Sequence, residues 1–569
     1  MSYDGASISP ASATGTGPAG QLAHRSLIEQ TDRLERRFHQ VRDGVWCYVG
    51  NGLSNQTFVE GPEGVIAIDT GECKEEMAAA IAALREHTST PITAVLYTHF
   101  HYVAGTSAVE DDTPGLSEIW GHAGIEGNLR RVGAEVGPAA RRGLLEQFGI
   151  GLPSEGPDGL VNVGLGLAFR QPDHAPFTPG FIPPTHPITE PTTTMIAGLQ
   201  VDFFPTPSDA DDNVTIWIPE LGVCVNNIMW PVLFNVFPIR GEEYRDPRGL
   251  IVGIEHIGGL GAEHLVGAHG PPISGADEIT ALAERYRDSV QFLWDQTVRA
   301  INRGDTSAEI GASVRLPEAF ADHYLTQQHY GLAEHHARQI HIGLRGWFDG
   351  DPANLFPLPP TERAERLIAG FGGVAEVRSQ AAAAVEAGDL RWALELAGWL
   401  HRRSEADDTD RAILASALRG VGQRTSAANI RNWALMHARE LEGAGVLARH
   451  YGHTLSRGAV LSLGPVAAIE TLRVMVDPEL AEGLDAHVGF AVGDAMVGLH
   501  LRRSVAVPTD GTGAHHMIRL ADVAVLADVL SGRTSLSDAE AAGQAEITGD
   551  RAVVSTFCAA FEVDGLRLD

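Results

Sequence analysis

Short apolar runs separated by turn residues fill the first half of the chain and predict a strand-rich domain. Residues 45–49, 56–59 and 64–71 are each typical of a strand, since β-branched and aromatic residues dominate them. An amphipathic pattern over residues 75–87 predicts a helix, and the apolar run 92–97 predicts a buried strand. The order of three strands, a helix and a strand indicates an α/β fold.

The pattern changes twice further along the chain. From about residue 275 the sequence is helical and alanine-rich, and the runs 382–397 and 411–422 are typical of paired tetratricopeptide-type helices. Beyond about residue 458, strand-like runs return at 459–463 and 487–492. Before the helical part, a Pro/Gly-rich insertion at residues 151–191 is followed by four more predicted strands, at residues 199–204, 214–218, 222–225 and 264–268.

Length and charge limit the domain count, the partners and the compartment. A chain of 569 residues exceeds what one core usually serves, and its formal net charge of -31 opposes nucleic acid and anionic membranes as partners. The four cysteines are far apart, which suits a reducing compartment better than a disulfide scaffold. No run approaches the roughly 18 apolar residues of a membrane helix, and no signal peptide is visible. We therefore expect a cytoplasmic protein with no membrane span.

Histidines stand at the ends of two predicted strands. His99 and His101 follow the buried run 92–97, and because alternate residues of an extended chain point the same way, both imidazoles can reach one ion. His269 ends the strand at 264–268 and precedes Gly and Pro, which places it at a sheet edge. These three histidines are candidate metal ligands.

The segment 98–105 resembles the T-H-x-H-x-D-H-x-x-G motif of the metallo-β-lactamase superfamily, in which the Asp and the last His hold a second metal. Those two positions are Val103 and Ala104 here, and neither side chain can donate an electron pair to a metal. The third predicted strand ends in Asp-Thr-Gly, as in this fold. The resemblance implies a buried hydrogen-bonding role near the site for Asp69, where the alternative is a turn-forming residue before Gly71.

The order of a metallo-β-lactamase part, a helical part and a C-terminal part similar to sterol-carrier-protein domains resembles the alkylsulfatases, which hydrolyse long-chain alkyl sulfate esters. The implied fold class is α/β, a metallo-β-lactamase αββα sandwich followed by an all-α dimerisation domain and a C-terminal α+β sterol-carrier-like domain. A homodimer is implied as well. We place a disordered tail at residues 1–35, the catalytic domain at 36–300, the dimerisation domain at 301–445 and the sterol-carrier-like domain at 446–569.

Two further stretches resemble functional segments of the alkylsulfatases. Residues 234–241 match a run ending in Leu-Arg-Gly and imply that Asn235 and Arg240 bind the sulfate group, since a guanidinium fork and an amide suit tetrahedral oxyanions. Residues 330–338 imply that His335 donates the proton to the ester oxygen. From the residues alone, the alternative for Arg240 is a surface ion pair, and the alternative for His335 is a surface histidine on a helix.

The glutamates that complete the family's metal site are missing. By the resemblance, Asn213 and Asn227 fall at the two ligand positions, and an amide oxygen is a poor zinc ligand. The three histidines therefore predict one divalent ion per chain, with zinc favoured and iron or manganese as alternatives. A carboxylate from Asp209, Asp211 or Asp212 could complete a two-histidine, one-carboxylate site, which favours iron.

These features predict a metal-dependent hydrolase of alkyl sulfates or similar anionic esters with an apolar tail. Because the ligands of the second metal are absent, altered chemistry is an open alternative: a metal-dependent lyase or an iron-dependent oxidoreductase acting on an apolar anion. The remaining alternative is a non-catalytic protein that binds such an anion.

Overall fold

A computed structural model describes residues 5–133, 135–451 and 455–568. The chain forms two compact units, one made of Met1–Glu126 with Gly143–Val446 and the other of Gly127–Arg142 with Leu447–Asp569. The predicted sandwich and the predicted helical domain therefore lie together in the first unit.

A seven-stranded sheet forms one half of the sandwich. Its strands are antiparallel at the N-terminal end and parallel from the fourth strand onward. Strand Ile92–Leu96 lies inside the parallel part and is almost wholly buried, as its continuous apolar sequence predicts. In order across the sheet the strands are Arg37–Arg42, Val45–Val49, Gln56–Gly61, Gly64–Ile68, Ile92–Leu96, Glu118–His122 and His186–Ile188.

A six-stranded sheet forms the other half. In strand Leu199–Pro205 every second residue, Leu199, Val201 and Phe203, is buried, so one face points into the core and the other outward. These residues share one apolar core with strand residues of the first sheet such as Val59. The strands are Thr192–Ile196, Leu199–Pro205, Val214–Ile218, Val223–Asn226, His264–Gly267 and Ile273–Ser274.

Helices cover the sandwich, as the predicted class requires. Helix Pro247–Gly259 begins where Asp246 accepts a hydrogen bond from the backbone N–H of Arg248, and proline takes the first helical position, where no donor is needed. The other helices of this part of the chain that lie wholly in the first unit are Arg25–Arg33, Lys74–Leu84, Ser107–Asp112 and Ala276–Arg303. Helices Ile125–Gly133 and Gly137–Phe148 are divided between the two units.

Antiparallel helix pairs follow, as predicted. The alanine-rich run at 382–397 is a hairpin of two helices: Gly388, with φ at 75°, ends the first, and Asp389 caps the second. Asp407 and Asp410 form a capping box at the next helix. The helices are Ser307–Ser313, Ala333–Arg345, Pro352–Leu355, Pro360–Gly370, Val374–Ala387, Leu390–Arg402, Asp408–Arg424 and Ala428–Leu441.

The second unit is an α+β domain around a five-stranded sheet, in agreement with the predicted class. Its core is formed by the sheet and by helices Arg457–Thr471, Val523–Leu530, Leu536–Ala541 and Arg551–Ala559. The strands, in order across the sheet, are Val505–Thr509, Ala495–Arg502, Asp485–Val492, His516–Leu520 and Ala545–Thr548.

The prediction of a disordered tail at residues 1–35 is wrong for the described residues from 5 onward. Strands Thr14–Thr16 and Leu22–His24 pair, and helix Arg25–Arg33 follows them. Leu27 is fully buried, and Gln30 donates to the carbonyl oxygen of Pro231 at 3.1 Å. The small polar residues at the start concealed these few anchoring side chains.

The strand predicted at 459–463 is also wrong, because this run lies in helix Arg457–Thr471. A short apolar run does not distinguish the period of a helix, about 3.6 residues, from the period of a strand, about two residues. Among the described residues, the stretch Arg457–Met475 is the one helix long and apolar enough to cross a membrane, by length and composition only. It is broken at Gly464, before Pro465, and Val460 and Ile469 lie in the buried core, so it does not demonstrate a membrane span.

Candidate active site

Two histidines and one carboxylate form a group that can hold a metal ion. His99 and His101 follow the buried strand Ile92–Leu96, and His101 lies in the short 3-10 helix Phe100–Tyr102. Asp209 approaches both: its carboxylate is 3.2 Å from Nδ1 of His101 and 3.7 Å from Nε2 of His99. The three ligand atoms lie within 4.8 Å of one another, which fits one divalent cation.

A buried relay orients His99. Asp69, whose backbone has φ of 56°, accepts hydrogen bonds from the backbone N–H of Thr98 at 2.8 Å and from its hydroxyl at 2.7 Å. Because that hydroxyl donates to Asp69, its oxygen accepts from Nδ1–H of His99 at 2.9 Å. The lone pair of His99 is therefore on Nε2, which faces Asp209. Asp69 has the buried role that the family resemblance implied.

Asn227 turns its amino group, and not its oxygen, toward this group. The indole N–H of Trp230 can only donate, and it bonds Oδ1 of Asn227 at 2.9 Å. Nδ2 of Asn227 therefore points the other way, donating to Asp209 at 2.7 Å and lying 3.3 Å from Nε2 of His99. In this orientation Asn227 cannot bridge two cations, and it fixes the carboxylate of Asp209 instead.

Burial and opposite charges set the protonation of the group. Burial lowers the pKa of His99 to about 3. Burial alone would also lower the pKa of His101, but hydrogen bonds to Asp209 and Glu242 outweigh it and raise that pKa to about 9. Asp209 is held well below its usual pKa by His99 and His101, although burial opposes this. The attraction between Asp209 and His101 therefore holds these two side chains together.

His269 lies next to this group but is joined to it through Tyr102. Its Nδ1–H donates to the carbonyl oxygen of Leu53 at 3.0 Å, so Nε2 carries the lone pair and accepts from the hydroxyl of Tyr102 at 3.1 Å. The ring of Tyr102 also stands edge-on to the ring of His99, with centroids 5.0 Å apart. The atom that His269 would offer to a metal is therefore engaged by Tyr102.

Arg240 lies directly beside the predicted ligands. Its Nη2 is 3.4 Å from Nε2 of His101, and its side chain is almost buried, which excludes the surface ion pair as its role. Arg240 and Arg245 both form ion pairs with Glu242, whose carboxylate also lies 3.3 Å from Nε2 of His101. Arg245 further donates to the backbone oxygen of Asn235 at 2.8 Å.

Asn235 is fully buried, and neither its side-chain oxygen nor its nitrogen has a hydrogen-bond partner among the described residues. Next to it, His336 accepts the backbone N–H of Phe237 on Nδ1 at 3.3 Å, so in its neutral form Nε2 carries the proton. That Nε2 also lacks a partner in the described structure. A Cβ on Gly331 would collide with both side chains, so glycine keeps open the space where these two donors meet.

His335 lies one residue before His336, near the start of helix Ala333–Arg345. Its ring is packed edge-on against Phe237, with centroids 5.7 Å apart, and its Nδ1 is buried without a hydrogen-bond partner. Burial lowers its pKa, and the charges that act on it are those of Glu334, Arg338 and Arg391. Within the described residues, no hydrogen bond or ring contact joins His335 to His99, His101 or Arg240.

An aromatic wall adjoins Arg240. We use this name for Phe148, Phe169 and Phe177. The guanidinium of Arg240 lies 5.9 Å from the ring centre of Phe148, which stacks on Phe169 at 4.8 Å. Arg170 lies 5.3 Å from the ring centres of both Phe169 and Phe177. Phe177 has φ of 63°, a strained value for a bulky residue, so the fold holds this ring at an energetic cost.

The structure brings His99, His101 and Arg240 together, and of the three candidate aspartates it is Asp209 that approaches the two histidines. Asn213 instead donates to the carbonyl oxygen of Thr206 at 2.8 Å. Glu242 was missed, although its position two residues after Arg240 was a usable signal. The roles of Tyr102 and His336 had no clear sequence signal, because they depend on which ring atom faces the site.

Comparisons with known proteins identify relatives of the whole chain. Residues 49–102 match the family model for the metallo-beta-lactamase superfamily, and residues 306–444 match the model for alkyl sulfatase dimerisation. A linear primary-alkylsulfatase of a Pseudomonas species is 33% identical over 526 residues, covering 89% of this chain and 98% of the relative. An alkyl/aryl-sulfatase of Saccharomyces cerevisiae is 29% identical over 458 residues, covering 78% of this chain and 69% of the relative.

A solved structure is similar over nearly the full length. The stereoselective inverting sec-alkylsulfatase Pisa1 from Pseudomonas sp. superposes with a TM-score of 0.83 at 24% sequence identity, covering 99% of this chain and 92% of that one. This similarity establishes the three-part fold.

Proposed function

The chain belongs to the alkylsulfatase family of the metallo-β-lactamase superfamily and is a hydrolase, and from this we propose that it hydrolyses the sulfate ester of an alkyl chain. The observation that carries the proposal is the contact of Arg240 with His101, 3.4 Å between nitrogen atoms. It puts a buried anion-binding guanidinium beside a residue of the metal-holding group, which is the arrangement that ester cleavage at a charged head requires.

We propose that His99, His101 and Asp209 hold one divalent cation, with zinc favoured and manganese or iron as alternatives. When bound there, the cation supplies Lewis-acid polarisation and activation of a water molecule. Val103 and Ala104 offer no donor, and the oxygen of Asn227 faces Trp230, which supports a single ion. His269 could join the ligands only if the hydroxyl of Tyr102 moved off its Nε2.

The other side chains bind and orient the substrate in this proposal. Arg240 pairs with the sulfate, while Asn235 and His336 offer buried N–H groups that have no protein partner in the described structure. Phe169 and Phe177, the partly exposed members of the aromatic wall, supply apolar surface for the tail, and the buried Phe148 supports Phe169 from below. Binding at both the head and the tail would restrict the ester to few orientations.

His335 is the proposed proton donor to the leaving alcohol, by its match to the family's acid position. Its unpartnered buried Nδ1 supports a functional role. His336 is the alternative donor, because it lies beside Asn235. Burial lowers the pKa of both histidines, that of His336 to about 3, so the direction of the shift does not choose between them. Separate alanine variants of the two histidines distinguish these roles.

A homodimer is also proposed. The match of residues 306–444 to the dimerisation model supports it, as does an exposed apolar segment after helix Ala333–Arg345. In that segment Trp347 is 69% exposed and Phe356 is 88% exposed, which is costly for a free surface. The four cysteines are buried and free, which supports the proposed cytoplasmic location.

Iron-dependent oxidation of an apolar anion is the second candidate function. It is favoured by one observation, the two-histidine, one-carboxylate donor set of His99, His101 and Asp209, which suits iron.

One product analysis tests both functions. The protein is loaded with zinc, manganese or iron and given a decyl sulfate; free sulfate is measured by ion chromatography and the organic product by gas chromatography. Hydrolysis releases sulfate and decanol in equal amounts. An alkene would indicate elimination. An aldehyde formed by the iron form only when dioxygen and a two-electron reductant are added would indicate oxidation, and no product with any metal would contradict catalysis. A His101→Ala variant, prepared in parallel, controls for contaminating sulfatases.

A further inference from the structure

A carboxylate of this chain occupies the position next to Arg240. Glu242 forms ion pairs with Arg240 through Oε1 and with Arg245 through Oε2, one guanidinium for each oxygen. Oε1 also lies 3.3 Å from Nε2 of His101. The glutamate side chain is 17% exposed, and its two arginine partners are 11% and 3% exposed, so water screens these pairs only weakly.

This carboxylate has the binding geometry of a sulfate head. A planar carboxylate offers two oxygen atoms to paired guanidinium groups in the same way that a tetrahedral oxyanion offers two of its oxygens. The arginines are held from behind: Arg245 donates to the backbone oxygen of Asn235, and Arg240 lies over the ring of Phe148. An anion that binds Arg240 must therefore compete with Glu242.

The loop geometry allows Glu242 to leave. Gly241, between Arg240 and Glu242, has φ of 83°, and no atom lies within 4 Å of where its Cβ would stand. Glycine at this position tolerates backbone rotations that other residues resist, so the carboxylate can swing outward while Arg240 stays in place.

We propose that Glu242 is a specificity-determining residue, an internal counter-anion that holds the head-group position until a substrate displaces it; this rests on the proposed role of Arg240. Displacing the carboxylate weakens the binding of every anion. A long apolar tail compensates, since each buried methylene contributes about fourfold in affinity. Free sulfate has no tail, so it binds weakly and inhibits little as a product.

Sulfate binding to the metal-loaded full-length protein tests this. Inorganic sulfate is titrated by calorimetry into the unaltered protein, Glu242→Gln and the matched control Glu243→Gln, which changes an exposed neighbouring glutamate. We expect Glu242→Gln to bind sulfate at least about tenfold more tightly, since a close competing charge is removed. The control should match the unaltered protein, and the gain should vanish in Glu242→Gln combined with Arg240→Ala.

An unchanged or weaker sulfate affinity in folded Glu242→Gln would overturn the proposal, as would an equal gain in the Glu243→Gln control. Should Glu242→Gln fail to fold, Glu242→Asp retains the charge but cannot span both guanidinium groups. Its sulfate affinity should then lie above that of the unaltered protein, and no increase would overturn the proposal.

The binding measurement is independent of turnover, so the two proposals can fail separately. If no alkyl sulfate is hydrolysed but Glu242→Gln gains sulfate affinity, the proposed reaction is wrong and the counter-anion stands. If alkyl sulfates are hydrolysed but Glu242→Gln binds sulfate no more tightly than the unaltered protein, the proposed reaction stands and the counter-anion role is wrong.

Discussion

Replacing Asp209 by Asn should abolish tight metal binding while keeping the shape of the side chain. Asp209 is the carboxylate that meets both histidines, 3.2 Å from His101 and 3.7 Å from His99, and its side chain is only 5% exposed. The amide replaces one of three donors by a neutral, poor ligand and removes the negative charge that offsets the cation. Partners behind the ligands typically contribute about 10- to 100-fold in metal affinity, so a direct anionic ligand should contribute at least about 100-fold. That corresponds to about 3 kcal/mol of binding free energy.

The affinity is measured by competition with a chromophoric zinc chelator, and the metal content of the dialysed protein by elemental analysis. Asp211→Asn is the matched control, because Asp211 lies two residues further along, is exposed and is not part of the metal-holding group. It should bind metal like the unaltered protein. If folded Asp209→Asn binds zinc as tightly as the unaltered protein, Asp209 is not a ligand, and His269 is left as the third ligand.

Four further predictions follow from the site and its surroundings. Arg240→Ala should raise KM for alkyl sulfates at least about tenfold and lower Tm through the lost ion pair with Glu242. Arg240→Lys keeps the charge and should restore Tm but only part of the loss in KM, in thermal unfolding and steady-state assays respectively. His335→Ala should lower kcat for an aliphatic sulfate by about 10²–10⁴ but far less for an activated aryl sulfate, and equal losses would contradict a proton-donor role. Phe169→Ala should flatten the dependence of KM on tail length, measured from hexyl to dodecyl sulfate. Burial opposes the ionisation of Glu334, but its hydrogen bonds with Arg391 lower its pKa to about 2. The stabilising contribution of this ion pair is therefore complete above about pH 4.5 and is lost as the pH falls toward 2. The free energy of unfolding, measured with urea across that range, should depend less on pH in Glu334→Gln than in the unaltered protein.

The strands and the order of the three parts were predictable because their periodicity is strong. Strand Ile92–Leu96 is a continuous apolar run in a parallel sheet, and it fixes where His99 and His101 stand. The prediction of a disordered N-terminal tail was wrong because this segment lacks a strong periodicity. A few anchors such as Leu27 and Gln30 order a stretch whose average composition is that of a flexible tail.

The details of the site depend on orientations that the sequence does not specify. Asn227 was recognised as a poor ligand, but only the hydrogen bond from Trp230 reveals that its oxygen faces away from the site. His269 lies two residues after strand His264–Gly267, and the hydroxyl of Tyr102 engages the ring nitrogen that this histidine would have offered to a metal. The three nearby aspartates were equivalent in sequence, and loop geometry brings Asp209 to the histidines.

We propose that one metal ion in this site is enough for the hydrolysis of alkyl sulfates. Metal-free protein is titrated with zinc, or with whichever metal supports activity, while the rate of sulfate release from a long-chain alkyl sulfate is recorded at each addition. The rate should rise linearly and reach its plateau at about one metal ion per chain, because the ligands of a second ion are missing. A plateau at two ions per chain, or no sulfate release at any metal concentration, would contradict the account.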